Sequence, residues 1–181
     1  MTLAIIIILV LLVLFIWSTY NSLATGKVRI KEALSGIDVQ LKRRIDLVPN
    51  LVSTVKGYAK HEKTLFENVT KARSSLMNAS TVHDKAVSDS MLSGALKSII
   101  AISEAYPDLK ASANFLELQE ELSDIESKIA YARQFFNSNV SSYNTTLVNF
   151  PGSVIGNMFG YKEEEFFAAT EEEKKSVKVE F

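Results

Sequence analysis

The side chains most able to do chemistry in this sequence are its two histidines, His61 and His83. The pair His61-Glu62 begins like the helix motif of zinc proteases, but Leu65 stands where that motif requires its second histidine. A di-iron bundle needs a glutamate three residues before a histidine, and neither histidine has one. The chain also lacks cysteine, which excludes disulfide-stapled modules and cysteine-ligated zinc or iron–sulfur sites. We therefore predict no metal and no cofactor.

One serine–lysine pair, Ser53 and Lys56, has the spacing of a known nucleophile motif but lacks every companion motif of that chemistry. Phosphate-binding glycine loops follow strands, and no segment alternates polar and apolar residues as a strand does. With seven glycines and three prolines, the chain is too poor in turn residues for an all-β fold. The sequence therefore indicates a helical protein that is not an enzyme.

The net charge of −1 conceals a division along the chain. Residues 1–26 carry no charged side chain, residues 27–73 carry 11 basic and 5 acidic ones, and residues 74–181 carry 9 and 16. The two charged zones therefore have net charges of +6 and −7. A basic zone is typical of nucleic-acid binding, but beside a membrane helix it more simply sets topology or contacts lipid. We predict membrane lipid as a partner and no nucleic acid.

The unbroken apolar run from Leu3 to Trp17 predicts a transmembrane anchor. Its 15 residues span about 22 Å as a helix, and extension through Tyr20 approaches a bilayer core of roughly 30 Å. Trp17 and Tyr20 are then expected at the membrane interface. The alternative is a cleaved signal peptide with a small-residue site at Ser22-x-Ala24, but no basic residue precedes the run.

The orientation of the anchor follows from the basic residues, all of which come after the apolar run. Because basic flanks stay on the cytoplasmic side, we predict a single-pass protein of the cell membrane with its helical domain in the cytoplasm. A basic collar is available to contact anionic headgroups. It comprises Lys27, Arg29, Lys31, Lys42, Arg43 and Arg44.

Apolar residues recur at steps of three and four from Ile30 to Leu76, which indicates helix throughout this stretch. Pro49 lies inside the pattern and predicts a kink, because it removes the hydrogen bond to the carbonyl of Ile45. Alternatively, Asp46 caps a new helix that has Pro49 in its first turn.

Thr81 is predicted to cap a third helix, which Tyr106-Pro107 closes. We expect its buried face to comprise Val87, Met91, Ala95, Ile99 and Ile102.

A fourth helix carries the most regular apolar pattern, a heptad seam typical of a coiled coil and ended by Pro151. The seam positions are Phe115, Leu118, Leu122, Ile125, Ile129, Ala132, Phe136, Val140, Tyr143, Leu147 and Phe150. Only residues 27–76 supply a partner of similar length, so we predict an all-α fold in which an N-terminal single transmembrane helix precedes an elongated antiparallel bundle. The predicted divisions are an anchor (1–26), the bundle (27–151), and a glycine-spaced amphipathic segment with an acidic tail (152–181).

Several residues of the last third of the chain fit a simple bundle poorly. Glu126 and Arg133 lie seven residues apart on one helix face, where we expect a rim ion pair that fixes the register. The glycines at positions 152, 156 and 160 predict a loop or a short amphipathic helix. Gly152, Gly156 and Gly160 are also candidate contacts with neighbouring subunits or with a membrane surface.

The order of these segments resembles the LemA family of membrane-anchored helical proteins. The matching stretches include Asp38-Val39-Gln40-Leu41-Lys42-Arg43-Arg44, Lys56-Gly57-Tyr58-Ala59, Ala72-Arg73 and Ile129-Ala130. The polar and motif residues that carry the resemblance are Tyr20, Asn21, Asp46, Asn50, His61, Glu62, Glu104, Tyr106, Pro107, Glu126, Arg133, Asn137, Tyr143 and Asn144. One departure is Phe136, because the family pattern usually has tyrosine before the asparagine.

The resemblance implies an anchor followed by an all-α bundle, with no established catalytic activity or cofactor. Relatives take part in forming magnetosome membranes, and members are often encoded near membrane-bound metalloproteases. Two functions remain open. The first is a scaffold or membrane-shaping protein that self-associates as a homo-oligomer, because its oppositely charged zones can pair between neighbours. The second is an adaptor that presents its acidic tail to a membrane protease or signalling partner.

Overall fold

The computed structural model describes residues 1–167, and every regular element within them is a helix. The helices are α1 (Thr2–Tyr58), α2 (Lys63–Asn78), α3 (Val82–Ser103), α4 (Pro107–Lys110), α5 (Ala113–Val148) and α6 (Gly152–Phe159). The predicted all-α class with an N-terminal apolar helix is confirmed. The acidic tail beyond Phe167, on which the adaptor hypothesis depends, lies outside the described residues.

Helix α1 continues through Pro49 without a break, so a separate helix capped by Asp46 is wrong. Proline has no amide hydrogen, which leaves the carbonyl of Ile45 without its helical donor. The Nε of Arg73, on α2, donates a hydrogen bond of 2.9 Å to this carbonyl. A side chain from the neighbouring helix thus satisfies the backbone group that the proline orphans.

The chain forms two compact units. The first consists of Met1–Gly36 and Gln134–Phe166, and the second contains Ile37–Arg133 and Phe167. In the first unit, apolar residues of α1 and α5 form the core together with Ile155 of α6. In the second, the core comprises residues of all five helices that pass through it, including Leu51, Val69, Leu96, Leu109 and Ile125. The predicted divisions at residues 26 and 151 stay predictions.

The N-terminus of α3 is confirmed, because the Thr81 hydroxyl accepts a hydrogen bond of 3.0 Å from the amide of Asp84. Of its predicted buried face, Ile99 is buried, Ala95 and Ile102 are half-buried, and the predictions for Val87 and Met91 are wrong. The buried residues are Ala86, Ser88, Asp89, Leu92, Leu96, Ile99 and Ser103, whereas Val87 and Met91 are exposed. The helix has apolar residues on more than one side, so their spacing does not decide which side is buried. The buried side is the one that contains Asp89, which pairs with Arg44.

The seam of α5 is confirmed as core over most of its length, since eight of its eleven predicted positions are buried. Leu118 and Ala132 are half-buried, and Phe150 is exposed because α5 ends at Val148. The seam therefore packs within the chain, as the regular spacing predicts.

The glycine-spaced segment is a short helix, α6, that ends at Gly160 in the left-handed conformation with φ of 72°. A Cβ at Gly152 would stand 1.8 Å from the carbonyl oxygen of Thr146, and one at Gly156 would stand 2.2 Å from a methyl group of Leu147. Both glycines are buried, so they let α6 approach α5 within one chain. Gly152 and Gly156 are therefore used within the chain, and the contact predicted at Gly160, which is exposed, stays a prediction.

Candidate functional site

A buried arginine holds together charged side chains from three helices. Arg44 is 1% exposed, and its two terminal nitrogens each donate a hydrogen bond of 2.7 Å, one to Asp89 and one to Glu126. The three side chains come from α1, α3 and α5, so a single guanidinium joins three helices. Paired bonds from one planar guanidinium to two carboxylates fix both the distance and the orientation of its neighbours.

A small cavity of about 180 Å³ adjoins this cluster, and its lining includes Lys97 and Arg133. The remaining nitrogen of Arg44, Nε, is buried without a hydrogen-bond partner among the described residues. Arg133 lies with its guanidinium carbon 4.9 Å from the ring centroid of Phe167, which is buried. The guanidinium of Arg44 therefore offers this cavity a positive charge and one further hydrogen-bond donor, beside the carboxylates of Asp89 and Glu126.

The cluster changes how two sequence predictions stand. Arg44 is buried and cannot belong to an exposed basic collar, so that part of the prediction is wrong. Glu126 accepts its hydrogen bond from Arg44, on another helix, while it lines the same cavity as Arg133. The expected pairing of Glu126 with Arg133 stays a prediction. Asp89, which sequence reasoning missed, had one signal: it is the only acidic residue between Lys85 and Ser103.

Two side chains of α5, those of Tyr143 and Asn144, bind the segment that follows α6. The Tyr143 hydroxyl donates a hydrogen bond of 3.0 Å to the carbonyl of Lys162. The side-chain nitrogen of Asn144 donates a hydrogen bond of 2.9 Å to the backbone carbonyl of Glu164. The side-chain oxygen of Asn144 accepts one of 2.9 Å from the backbone amide of Glu164. These residues bind their own chain, which accounts for their polar character at core positions.

Burial, followed by the charge of Glu164 and then the neighbouring Tyr161, raises the pKa of Tyr143 above its ordinary value of 10.0. The phenol therefore keeps its proton at neutral pH and continues to donate to Lys162.

The other motif residues are spread over the fold. The Tyr106 hydroxyl lies 3.4 Å from a carboxylate oxygen of Glu62, which joins the loops at the ends of α1 and α3. Glu104 pairs with Lys110, and Asp46 pairs with Lys42, both at exposed positions. Asn21, Asn50 and His61 are exposed, and Asn137 is half-buried. Among the described residues no group of three or more His, Cys, Asp or Glu side chains is placed to hold a metal ion.

A cationic groove of about 810 Å³ lies at the junction of α1 and α2. Its lining includes Lys56, Lys60, Lys63 and Lys71, and the ammonium of Lys56 lies 5.2 Å from the ring centroid of Phe66. Only one acidic residue, Glu67, lines it. The groove therefore presents positive charge over an aromatic floor.

The oppositely charged zones pair inside the chain at several places. Lys27 lies 3.2 Å from Glu164, and Arg44 binds both Asp89 and Glu126. Each of these ion pairs joins a basic residue of zone 27–73 to an acidic residue of zone 74–181. Part of the charge complementarity that the sequence offers to neighbours is therefore used within one molecule.

Helix α1 contains a segment long and apolar enough to cross a membrane, and none of its most apolar 18-residue window is buried. Trp17 and Tyr20, predicted at the membrane interface, are exposed beside α6. Leu23, which a signal peptidase cut at Ser22-x-Ala24 would remove, is fully buried in the first unit.

Comparison with known proteins finds the LemA family model over residues 33–181. Magnetosome protein MamQ of Magnetospirillum gryphiswaldense is 24% identical over 174 residues, which cover 82% of this chain and 64% of MamQ. Magnetosome protein MamQ 1 of Paramagnetospirillum magneticum has the same identity and coverage. Protein LemA of Metamycoplasma hominis is 29% identical over 162 residues, covering 87% of this chain and 72% of that protein. The chain thus spans 64% of the length of these magnetosome relatives.

Proposed function

Because this chain belongs to the LemA family, we propose that it is a membrane-anchored, non-catalytic helical protein that self-associates as a scaffold or membrane-shaping assembly. Its partners in this proposal are membrane lipid and further copies of itself. Its exposed apolar helix supports the anchor, and the burial of Leu23 supports retention of that helix in the mature protein. The helical domain is proposed on the cytoplasmic side, in agreement with the basic residues that follow the anchor.

The observation that carries self-association is the outward face of α3. The charged residues between Ala86 and Ser103 are Asp89 and Lys97, and both line the cavity beside Arg44. From Val87 to Ala101 the face opposite Asp89 therefore carries no charge, and Asp84, one turn before Val87, marks its charged end. It exposes Val87 by 46% and Met91 by 49%. A solvent-facing helix surface normally carries charged residues, and a helix that is apolar on all sides is typically covered.

A second copy of the same face suits this surface. Small residues lie between the apolar ones, and a Cβ at Gly94 would meet nothing within 4 Å. An uncharged face with small residues at its centre permits two identical helices to approach closely about a twofold axis. In such an interface the same surface of both copies is in contact. Anchoring to one membrane further favours association, because it confines the copies to a surface and raises their effective concentration.

Mass photometry of the full chain extracted in detergent tests this proposal. We expect particles of several copies for the natural sequence and a shift towards single copies for Met91→Lys, which places a charge in the proposed contact. The matched control is Met77→Lys, at an equally exposed methionine (55%) at the end of α2, which should leave the distribution unchanged.

A single-copy natural protein would overturn the scaffold proposal. If the natural chain is single and a membrane protein co-purifies with it, the adaptor function, with a membrane protease as the candidate partner, becomes the better account. If both variants keep the natural mass, the chain self-associates through another surface and the assignment to α3 is wrong.

A further inference from the structure

We infer that the end of α5, the following turn and α6 form a second membrane-contact element, which lies in the lipid of the leaflet where α1 leaves the membrane. We call residues 148–159 the membrane tip. The inference rests on the proposed anchor, because it requires α1 to span the bilayer, but it does not depend on self-association.

The membrane tip lies against the last turns of the apolar run of α1. The ring centroids of Phe15 and Phe150 are 6.5 Å apart, and those of Tyr20 and Phe159 are 4.9 Å apart. Phe159 also lines an apolar hollow of about 370 Å³ with Val13, Ile16, Trp17 and Tyr20. The tip therefore occupies the same level along α1 as residues 13–20, which are the residues expected in the lipid and at its interface.

The charge pattern changes at one level on α1 and on the segment that follows α6, whereas α5 is uncharged back to residue 134, beyond that level. Residues 1–26 carry no charged side chain, and neither do residues 134–161. Charge resumes at Lys27 on α1 and at residues 162–165 after α6. These two limits meet in space, since Lys27 lies 3.2 Å from Glu164 and 5.9 Å from the ring centroid of Tyr161. A boundary between charged and uncharged surface at one level is what a membrane interface requires of two adjacent segments.

Most of the exposed side chains of the tip are apolar, and the exposed polar ones are Asn149 and Asn157. Val148, Phe150, Val154, Met158 and Phe159 are between 52% and 78% exposed. The opposite face of α6, with Gly152, Ile155 and Gly156, is buried against the rest of the unit. The exposed apolar face continues the apolar surface of α1, which points to the same lipid as its occupant.

The backbone of the turn is also suited to a lipid environment, where unbonded polar groups are costly. The amides of Asn149, Ser153, Val154 and Ile155 all donate to backbone carbonyls within the turn or its flanking helices. At the other end of α6, the amide of Tyr161 donates 2.9 Å to the carbonyl of Gly156. The turn between two helices therefore exposes few unsatisfied donors, although it lies beside an apolar span.

The geometry gives an expected depth. Phe15 precedes Tyr20 by five residues, which is about 7.5 Å along a helix. If Tyr20 lies at the membrane interface, Phe150, which contacts Phe15, lies about 7.5 Å deeper in the membrane than Tyr20. This depth lies within the ~5–10 Å at which interfacial helices bury their apolar face.

Fluorescent probes at single cysteines test the inference, because the natural chain contains none. Val154→Cys and Met158→Cys are labelled with the fluorophore NBD on the full chain, reconstituted in phosphatidylcholine–phosphatidylglycerol vesicles. Leu9→Cys marks the anchor, and Ser138→Cys marks an exposed position of α5 outside the tip. Helical content by circular dichroism verifies that each variant is folded.

We expect 5-doxyl phosphatidylcholine to quench the two tip probes and iodide to quench them about fivefold less than the Ser138 probe, as burial at the interface predicts. Tip probes that iodide reaches as easily as the Ser138 probe would overturn the inference. Tip probes shielded from both quenchers would also overturn it, because protein, and not lipid, would then cover the face. The Leu9 probe separates these failures from a failure of the anchor, since only the latter exposes it to iodide.

Discussion

Arg44 shows how one buried side chain positions three helices. Its charge is removed from water, and it is compensated by Asp89, which is almost fully buried, and by Glu126, whose carboxylate is partly exposed. Burial of both partners of a pair costs free energy of desolvation, which the attraction between the charges offsets only when the geometry is close. The pair therefore specifies which faces of α1 and α3 meet, more than it adds net stability.

Removing one partner of this pair should be far more costly than replacing both. We expect Asp89→Ala to lower the free energy of unfolding by about 3 kcal/mol, because it leaves the buried Arg44 charge with only the partly exposed Glu126 as its partner. The double variant Arg44→Met/Asp89→Leu should recover most of that loss. Urea unfolding of the full chain in detergent, followed by circular dichroism, gives the values.

The control for this prediction is Asp46→Ala, which removes an exposed ion pair with Lys42 and should cost no more than ~0.5 kcal/mol. An Asp89→Ala variant as stable as this control would mean that the buried charge is compensated in another way, and the proposed role of the cluster would be wrong.

At the scale of elements, α2 is attached to α1 at a backbone carbonyl that lacks its helical hydrogen bond. The missing amide hydrogen at Pro49 frees the carbonyl of Ile45, and Arg73 binds it from α2. A proline in a helix interior normally costs stability because the carbonyl loses its donor. Here the same defect becomes a point of attachment for the next helix.

A double-mutant cycle tests this connection. Arg73→Met should lower the free energy of unfolding by about 1–2 kcal/mol in the natural chain, because it leaves the Ile45 carbonyl without a donor. The loss should be about 1 kcal/mol smaller in a Pro49→Ala background, where the restored amide hydrogen satisfies the same carbonyl. Lys71→Met, at an exposed position on α2, serves as the control. Equal losses in both backgrounds would show that the two residues are not coupled.

The elements also show where sequence patterns succeed and fail. The α5 seam is correct because its apolar residues recur regularly on one face over many turns, whereas the other apolar residues of the helix, such as Leu116, Tyr131 and Phe135, are scattered and exposed. The α3 face is incorrect because apolar residues occur on two sides of the helix, and local spacing does not rank them. The choice depends on Asp89, whose partner Arg44 lies 45 residues earlier in the sequence.

For the whole molecule, the distribution of charge bears on both topology and assembly. Every basic residue follows the apolar run, so the rule that basic flanks stay inside gives one orientation. Intrachain pairs use some of the opposite charge, including Lys27 with Glu164 and Arg44 with Asp89. We therefore base the proposed assembly on the outer face of α3 from Val87 to Ala101 and not on attraction between the two charged zones.

The orientation leads to a labelling prediction in a bacterial host. A cysteine introduced as Glu120→Cys, exposed on α5, should not react with a membrane-impermeant maleimide in intact spheroplasts and should react after lysis. Thr2→Cys, before the apolar run, is the complementary position and should react in intact spheroplasts. The reverse pattern would place the helical domain outside the cell and contradict the predicted topology.

The sequence by itself determined the helical class, the apolar span, the α3 cap and the α5 seam, because each depends on residues within a few turns of one another. Only the tertiary structure decided that Arg44 is buried, that Arg73 binds the Ile45 carbonyl, and that Gly152 and Gly156 face α5. These features join residues far apart in the sequence, and local periodicity contains no information on which distant side chain will meet them. For the same reason the sequence alone did not suggest the proposed membrane tip, because its residues lie beside the apolar run of α1 only in the folded chain.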